Sequence, residues 1–163
     1  MNVFVDTSIV NNLLELNEHR KSNQNWEADA RYLKLIIESK EVTLYVNPSV
    51  KQQIENTHDE ILKVNLLEKF KGLHYTEFNL TIFPFHFPAK FLSEEQKAFI
   101  QQLCTRHPAL LRDQKIIADA AFNDNIDVLL TTDKKLAHQV RRVGKVKFLL
   151  PKELYEDLTK LNS

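Results

Sequence analysis

Short apolar runs alternate with amphipathic stretches along this chain, and that alternation constrains its fold more than any other feature. Asn2–Val5, Val42–Val46, Asp127–Thr132 and Val146–Leu150 read as strands. Between them, Ser8–Leu16 carries Ile9, Leu13 and Leu16 on one helical face, and Trp26–Ser39 turns Trp26, Leu33, Ile36 and Ile37 inward. Ser49 caps a long helical stretch toward Phe70, closed by Gly72. Ser93-x-x-Gln96 has the form of a capping box for Glu94–Arg106. Gln114–Asn123 is helical, Lys134–Val143 is a helix stopped by Gly144, and Pro151 stands where a last helix to Leu161 begins. Strands alternating with helices imply an α/β fold, a parallel sheet with helices on both faces. Val128–Leu130 and Phe148–Leu150 are unbroken apolar runs, suited to strands covered on both sides. Residues 1–163 are read as one domain.

Composition removes several function classes. The chain has only 2 glycines, Gly72 and Gly144, and no glycine-rich loop to cradle a phosphate. Cys104 is the single cysteine, which excludes an internal disulfide, argues against a cysteine zinc site and points to a reducing cytoplasm. No apolar run approaches the roughly 18 residues of a membrane span, and no secretory signal is visible at the start. Net charge is +0, so a nucleic-acid partner would need a local basic patch.

In open α/β sheets, sites form beyond the carboxyl ends of the strands. Asp6 directly follows the first strand in "VFVDTSIV", and Asp133 follows "DVLLTT". Asp113, in "LLRDQKII", opens the helix that feeds the Asp127–Thr132 strand. Each could be no more than a helix N-cap, worth about 1 kcal/mol. Gathered at one edge they would repel one another unless a cation sat among them. An all-oxygen carboxylate cluster suits Mg²⁺ or Mn²⁺. A pair of such ions about 4 Å apart can activate water and stabilise a leaving oxygen in phosphodiester cleavage.

These segments together resemble the PIN-domain family of metal-dependent ribonucleases. The family pattern is an apolar strand ending in Asp-Thr/Ser, a middle acid on the helix after the second strand, an Asp opening D-x-x-I-x-A-x-A, and T-x-D after the fourth strand. Here they stand as "VFVDTSIV", "YVNPSVKQQIENT", "RDQKIIADAAF" and "DVLLTTDKKL", with "VKFLLPKELYEDL" resembling the family's closing strand and helix. The resemblance covers nearly the whole chain and is weakest over Lys71–Leu92. It implies Mg²⁺ or Mn²⁺ held by Asp6, Asp113 and Asp133, with Thr132, Thr7 and Ser8 as orienting groups. The fourth acidic position falls at Gln53, counting from Pro48, with Glu55 two residues on. Two residues turn a helix by about 200°, so either the helix starts later and Glu55 is the ligand, or the site lacks one carboxylate. The implied activity is hydrolysis of RNA phosphodiesters, and the implied partners are RNA, an antitoxin protein if the chain is a toxin, and a second copy as a homodimer. The alternative is a PIN-like module with an incomplete metal site that binds RNA or protein without cutting.

Other features are less specific. Asp119 lies on the helix of Asp113 but points elsewhere and is placed at the periphery. Lys134, Lys135, Arg141, Arg142, Lys145 and Lys147 crowd one segment, with Lys134, His138, Arg141 and Lys145 on one face of the expected helix. They suit contacts to a phosphate backbone, or form a solvated helix face. "LTIFPFHFPAKF" (80–91) alternates phenylalanines as an extended segment does, but Pro84 and Pro88 argue against a central strand. An aspartate phosphotransferase or receiver domain fits poorly, since Asp6 is followed by Thr7 and Ser8 rather than by D-x-D, and no acid precedes the first strand.

Overall fold

The structure, a computed structural model, describes residues 1–6, 8–10, 24–46, 55–56, 58–61, 63–65, 67–68, 80–82, 92–112, 114–122 and 124–161. Its strands are β1 (Asn2–Val5), β2 (Thr43–Val46), β3 (Leu80–Ile82), β4 (Val128–Leu130), β5 (Arg142–Val143) and β6 (Val146–Leu149). Its helices are α1 (Gln24–Glu38), α2 (Glu94–Arg106), α3 (Gln114–Ala121), α4 (Lys134–Val140) and α5 (Pro151–Leu161), with a 3₁₀ turn at Pro108–Arg112. Residues 8–10 are also helical. The strands form one 6-stranded sheet in the order β3-β2-β1-β4-β6-β5. All neighbours are parallel except β5 and β6.

Side-chain alternation on β1 explains the layering. Successive residues of a strand face opposite sides of the sheet. Val3 and Val5 join Leu33 and Ile36 of α1, Leu44 and Val46 of β2, and Leu154 and Leu158 of α5 in one core. Phe4 points the other way, with Ile100 and Cys104 of α2, Ile117 of α3, Leu129 of β4, Leu136 of α4 and Phe148 of β6. Each such large side chain withdrawn from water contributes about 1.5–3 kcal/mol. The register pairs Val3 with Leu44 on one side and with Val128 on the other, so apolar residues from three strands form rows on each face. Helices α1 and α5 pack together over the first core, where the rings of Tyr32 and Tyr155 lie 5.7 Å apart.

Local signals place most helix ends. Ser93 and Gln96 form the capping box of α2, each side chain meeting the other's backbone N–H. Pro151 opens α5, and the Leu150 N–H donates to the Glu153 carboxylate (2.8 Å). The β3 strand ends before Pro84 and, among the described residues, pairs only with β2, at the edge of the sheet. The remainder of the 80–91 segment lies outside the described residues, as do most of Ser8–Leu16 and half of the stretch from Ser49 to Phe70.

The expectation of one helix over Lys134–Val143 is corrected. The helix stops at Val140, and Arg141 takes a left-handed backbone (φ 54). Arg142 and Val143 turn back as a strand against Lys147 and Val146. Gly144, at φ 56, supplies the first residue of a two-residue hairpin loop, a position where only glycine is free of strain. Buried Val143 and Val146 fasten the hairpin to the core, and β-branched residues favour that extended form. Lys145 therefore lies in a hairpin loop and cannot share a helical face with Lys134 and His138. No helix among the described residues is long and apolar enough to cross a membrane.

Candidate functional site

The carboxyl ends of β1 and β4, adjacent in the sheet, deliver two acidic residues to one edge. The Asp6 N–H continues the ladder by donating to the Leu130 carbonyl (3.1 Å). The Asp6 side chain is 7% exposed, and Thr131 beside it is fully buried. Oδ1 of Asp6 accepts from the Ser8 hydroxyl (2.5 Å) and from the Ile9 N–H (3.0 Å), capping the turn at residues 8–10. Oδ2 accepts from the Thr131 hydroxyl.

Both hydroxyls have a second task. Ser8 Oγ accepts the Thr132 N–H (3.1 Å), and Thr131 Oγ1 accepts the Asp133 N–H (3.0 Å). The loop after β4 is thus suspended from the Asp6 carboxylate by two parallel relays. Asp133 follows as N-cap of α4, its Oδ1 accepting from the N–H groups of Lys135 (2.7 Å) and Leu136 (3.2 Å). Its carboxylate is exposed.

Burial pushes the Asp6 carboxyl above its ordinary range, against the opposing pull of its hydrogen bonds from Ser8, Thr131 and Ile9. All of its donors among the described residues are uncharged. A carboxylate has about four lone-pair sites, and Oδ2 is the oxygen with the fewer of them occupied. The donors at this edge, two carboxylates and two hydroxyls, are all oxygen, which is chemistry that suits a hard divalent cation.

The residues singled out in the sequence divide as follows. Asp6, Ser8, Thr132 and Asp133 are drawn into the one network just described. Asp113, Thr7 and Gln53 lie outside the described residues. Glu55 is exposed in a helical position. Among the described residues, no group of three or more His, Cys, Asp or Glu side chains is arranged to hold a metal ion. Lys134, Lys135, Arg141 and Arg142 are all exposed. Asp119, 5% exposed, is buried on α3.

Two residues escaped sequence reasoning. Thr131 is the threonine of T-x-D, two before Asp133, so the spacing carried the signal. Thr132, the neighbour singled out instead, contributes its backbone. Asp29 on α1 carried no local signal. It is half-buried, which raises its carboxyl, and the Lys134 ammonium of α4 opposes that rise.

The architecture is an α/β fold with a mostly parallel sheet covered by helices on both sides and acids at the carboxyl edge, consistent with a PIN-like fold. It is similar to a chain in the crystal structure of VapBC2 from Rickettsia felis bound to a DNA fragment from their promoter. The two share 16% identity and a TM-score of 0.50, over 92% of this chain and 98% of that one. The likeness is one of fold. No family model and no curated protein matches the sequence.

Proposed function

We propose that this protein is a metal-dependent endoribonuclease of PIN type, the toxin of a toxin–antitoxin pair. The observation that carries the reading is the buried Asp6 carboxylate, held at the edge of two central strands by neutral donors and linked through Thr131 to Asp133. Asp6 and Asp133, with Asp113, would hold Mg²⁺ or Mn²⁺. When bound, the ion supplies an activated water and neutralises charge on the leaving oxygen. The chain's own part is positional. Thr131 and Ser8 orient Asp6 and fix the loop that carries Asp133 and Thr132. Lys134, Lys135, Arg141 and Arg142 attract the RNA backbone, independently of sequence. The toxin role is supported by the likeness in fold to a chain of the VapBC2 complex, and it brings an antitoxin partner with it.

Cleavage of an end-labelled, mixed-sequence single-stranded RNA in Mn²⁺, Mg²⁺ or EDTA tests the reading, with Asp6→Asn as control. Metal-dependent cutting that is lost in Asp6→Asn is expected. Cutting that survives in Asp6→Asn would sink it. A second reading, a PIN-like module that binds RNA or protein without cutting, is favoured by the exposure of Glu55. Folded protein that neither cuts nor binds Mn²⁺ in calorimetry would favour that second reading.

A further inference from the structure

At the far edge of the sheet β5 is only 2 residues long, so it flanks only the first half of β6. There α4, β6 and the first turn of α5 enclose a cleft of about 430 Å³. Its lining includes Ala137, Phe148 and Leu149, with His138, Arg141, Lys147 and Glu153. The volume is that of a small-molecule pocket and exceeds what a lone phosphate fills.

Arg141 is the unusual member. An arginine at φ 54 sits in a region that non-glycine residues rarely adopt. Its Nε reaches only the His138 carbonyl at 3.4 Å, and its terminal guanidinium nitrogens have no partner among the described residues. A strained backbone that carries an uncommitted, fork-shaped cation into a cleft is the kind of feature found at ligand sites. Lys147 lines the same cleft, paired with Asp157 (2.8 Å), and His138 lies 3.6 Å from Glu153. The Phe148 N–H already donates to the Arg141 carbonyl (2.8 Å), so this edge does not offer that amide to an added strand.

We propose that this cleft is a nucleotide subsite. Arg141 and Lys147 take one phosphate, and the sugar and base lie against Leu149, the apolar lining residue that is only half-buried. His138 presents a ring nitrogen to the base edge, while the Glu153 carboxylate beside it repels the strand. The subsite rests on the RNA part of the function proposed above. The 7 residues of α4 span about 10 Å, so the cleft stands roughly that far along the helix from Asp133. A strand lying along α4 would pass from one to the other.

The test is anisotropy of a short labelled single-stranded RNA in EDTA, where the metal-dependent cut does not occur and only binding is read. Adenosine monophosphate is expected to displace the RNA at concentrations where adenosine does not. Arg141→Gly, which removes both guanidinium and backbone strain, should weaken RNA binding about tenfold and reduce the salt slope by about one, without lowering the melting temperature. Competition by the monophosphate alone, with a full-length RNA binding no better, would mark a free nucleotide rather than a strand as occupant and overturn the strand assignment. Unchanged RNA affinity in Arg141→Gly, no RNA binding by the wild type, or displacement by a glutamate-rich peptide but not by the monophosphate would each overturn the subsite. Should Arg141→Gly melt lower, Glu153→Gln decides. Removing the acid of the cleft should tighten RNA binding, and no change overturns the proposal. The nuclease reading fails separately, in the Asp6→Asn cleavage comparison.

Discussion

The Thr131 hydroxyl donates to Oδ2 of Asp6 while it accepts the N–H of Asp133 at 3.0 Å. One buried side chain thereby couples the two acids that end adjacent strands. Thr131→Val keeps the shape but removes both bonds, leaving a buried carboxylate oxygen and a backbone N–H without their partner. A loss of about 1.5–3 kcal/mol in urea unfolding is expected, with Thr131→Ser recovering most of it. RNA cleavage should fall in Thr131→Val more than the lost stability explains, since Asp133 is then released.

Asp6 should make the protein sensitive to pH in a defined direction. Its carboxyl is raised above 3.8 by burial, so between that value and its folded pKa the native state binds the proton more tightly than the unfolded chain. Stability contributed by this group is therefore present in acid and declines as pH rises through the folded value. In EDTA, Asp6→Asn should gain stability relative to wild type over that window and hold a constant difference above it. Melting curves across pH check this.

A divalent cation should act on the same group. If Asp6 is a ligand, Mn²⁺ at about 100 times its dissociation constant stabilises the wild type by about 2.7 kcal/mol at neutral pH. Asp6→Asn should show little of that gain. An equal rise in melting temperature for both proteins would place the ion elsewhere.

Gly144 stands at φ 56 in the β5–β6 loop, where a Cβ would meet nothing closer than the Ala121 carbonyl at 3.9 Å. Space is not the obstacle there; backbone conformation is. Gly144→Ala should cost about 1–2 kcal/mol, and Gly144→Asn less, because Asn tolerates the left-handed region. Thermal unfolding of the two variants separates them.

Asp29 offers a test of how α1 meets α4. Its carboxyl is raised by burial and held back by Lys134. Lys134→Gln should raise the Asp29 pKa further, read from its carboxyl carbon shift in an NMR titration. An unmoved midpoint would show that the ammonium is not within electrostatic reach.

Much of the frame was legible because periodicity reports burial. Val128, Leu129 and Leu130 announced a strand covered on both faces, Ser93 with Gln96 announced a helix start, and Pro151 announced another. Asp6 and Asp133 could be placed at the carboxyl edge by order along the chain alone. Lys134–Val143 misled, since its apolar spacing fits a helix until Arg141, and the hairpin wins only because Val143 and Val146 are buried against the core.

The sequence by itself determined the α/β alternation, the apolar strands and the acids that follow them, since each depends on neighbours a few residues apart. Tertiary structure alone decided that Thr131, 125 positions from Asp6, would donate to its carboxylate, that Asp29 would face Lys134, and that Arg141 would line a cleft. Those relations arise where β1 pairs with β4 and where α4, β6 and α5 meet. Local propensity carries no information about contacts between segments so distant, and only the packing of the sheet and its helices brings them together.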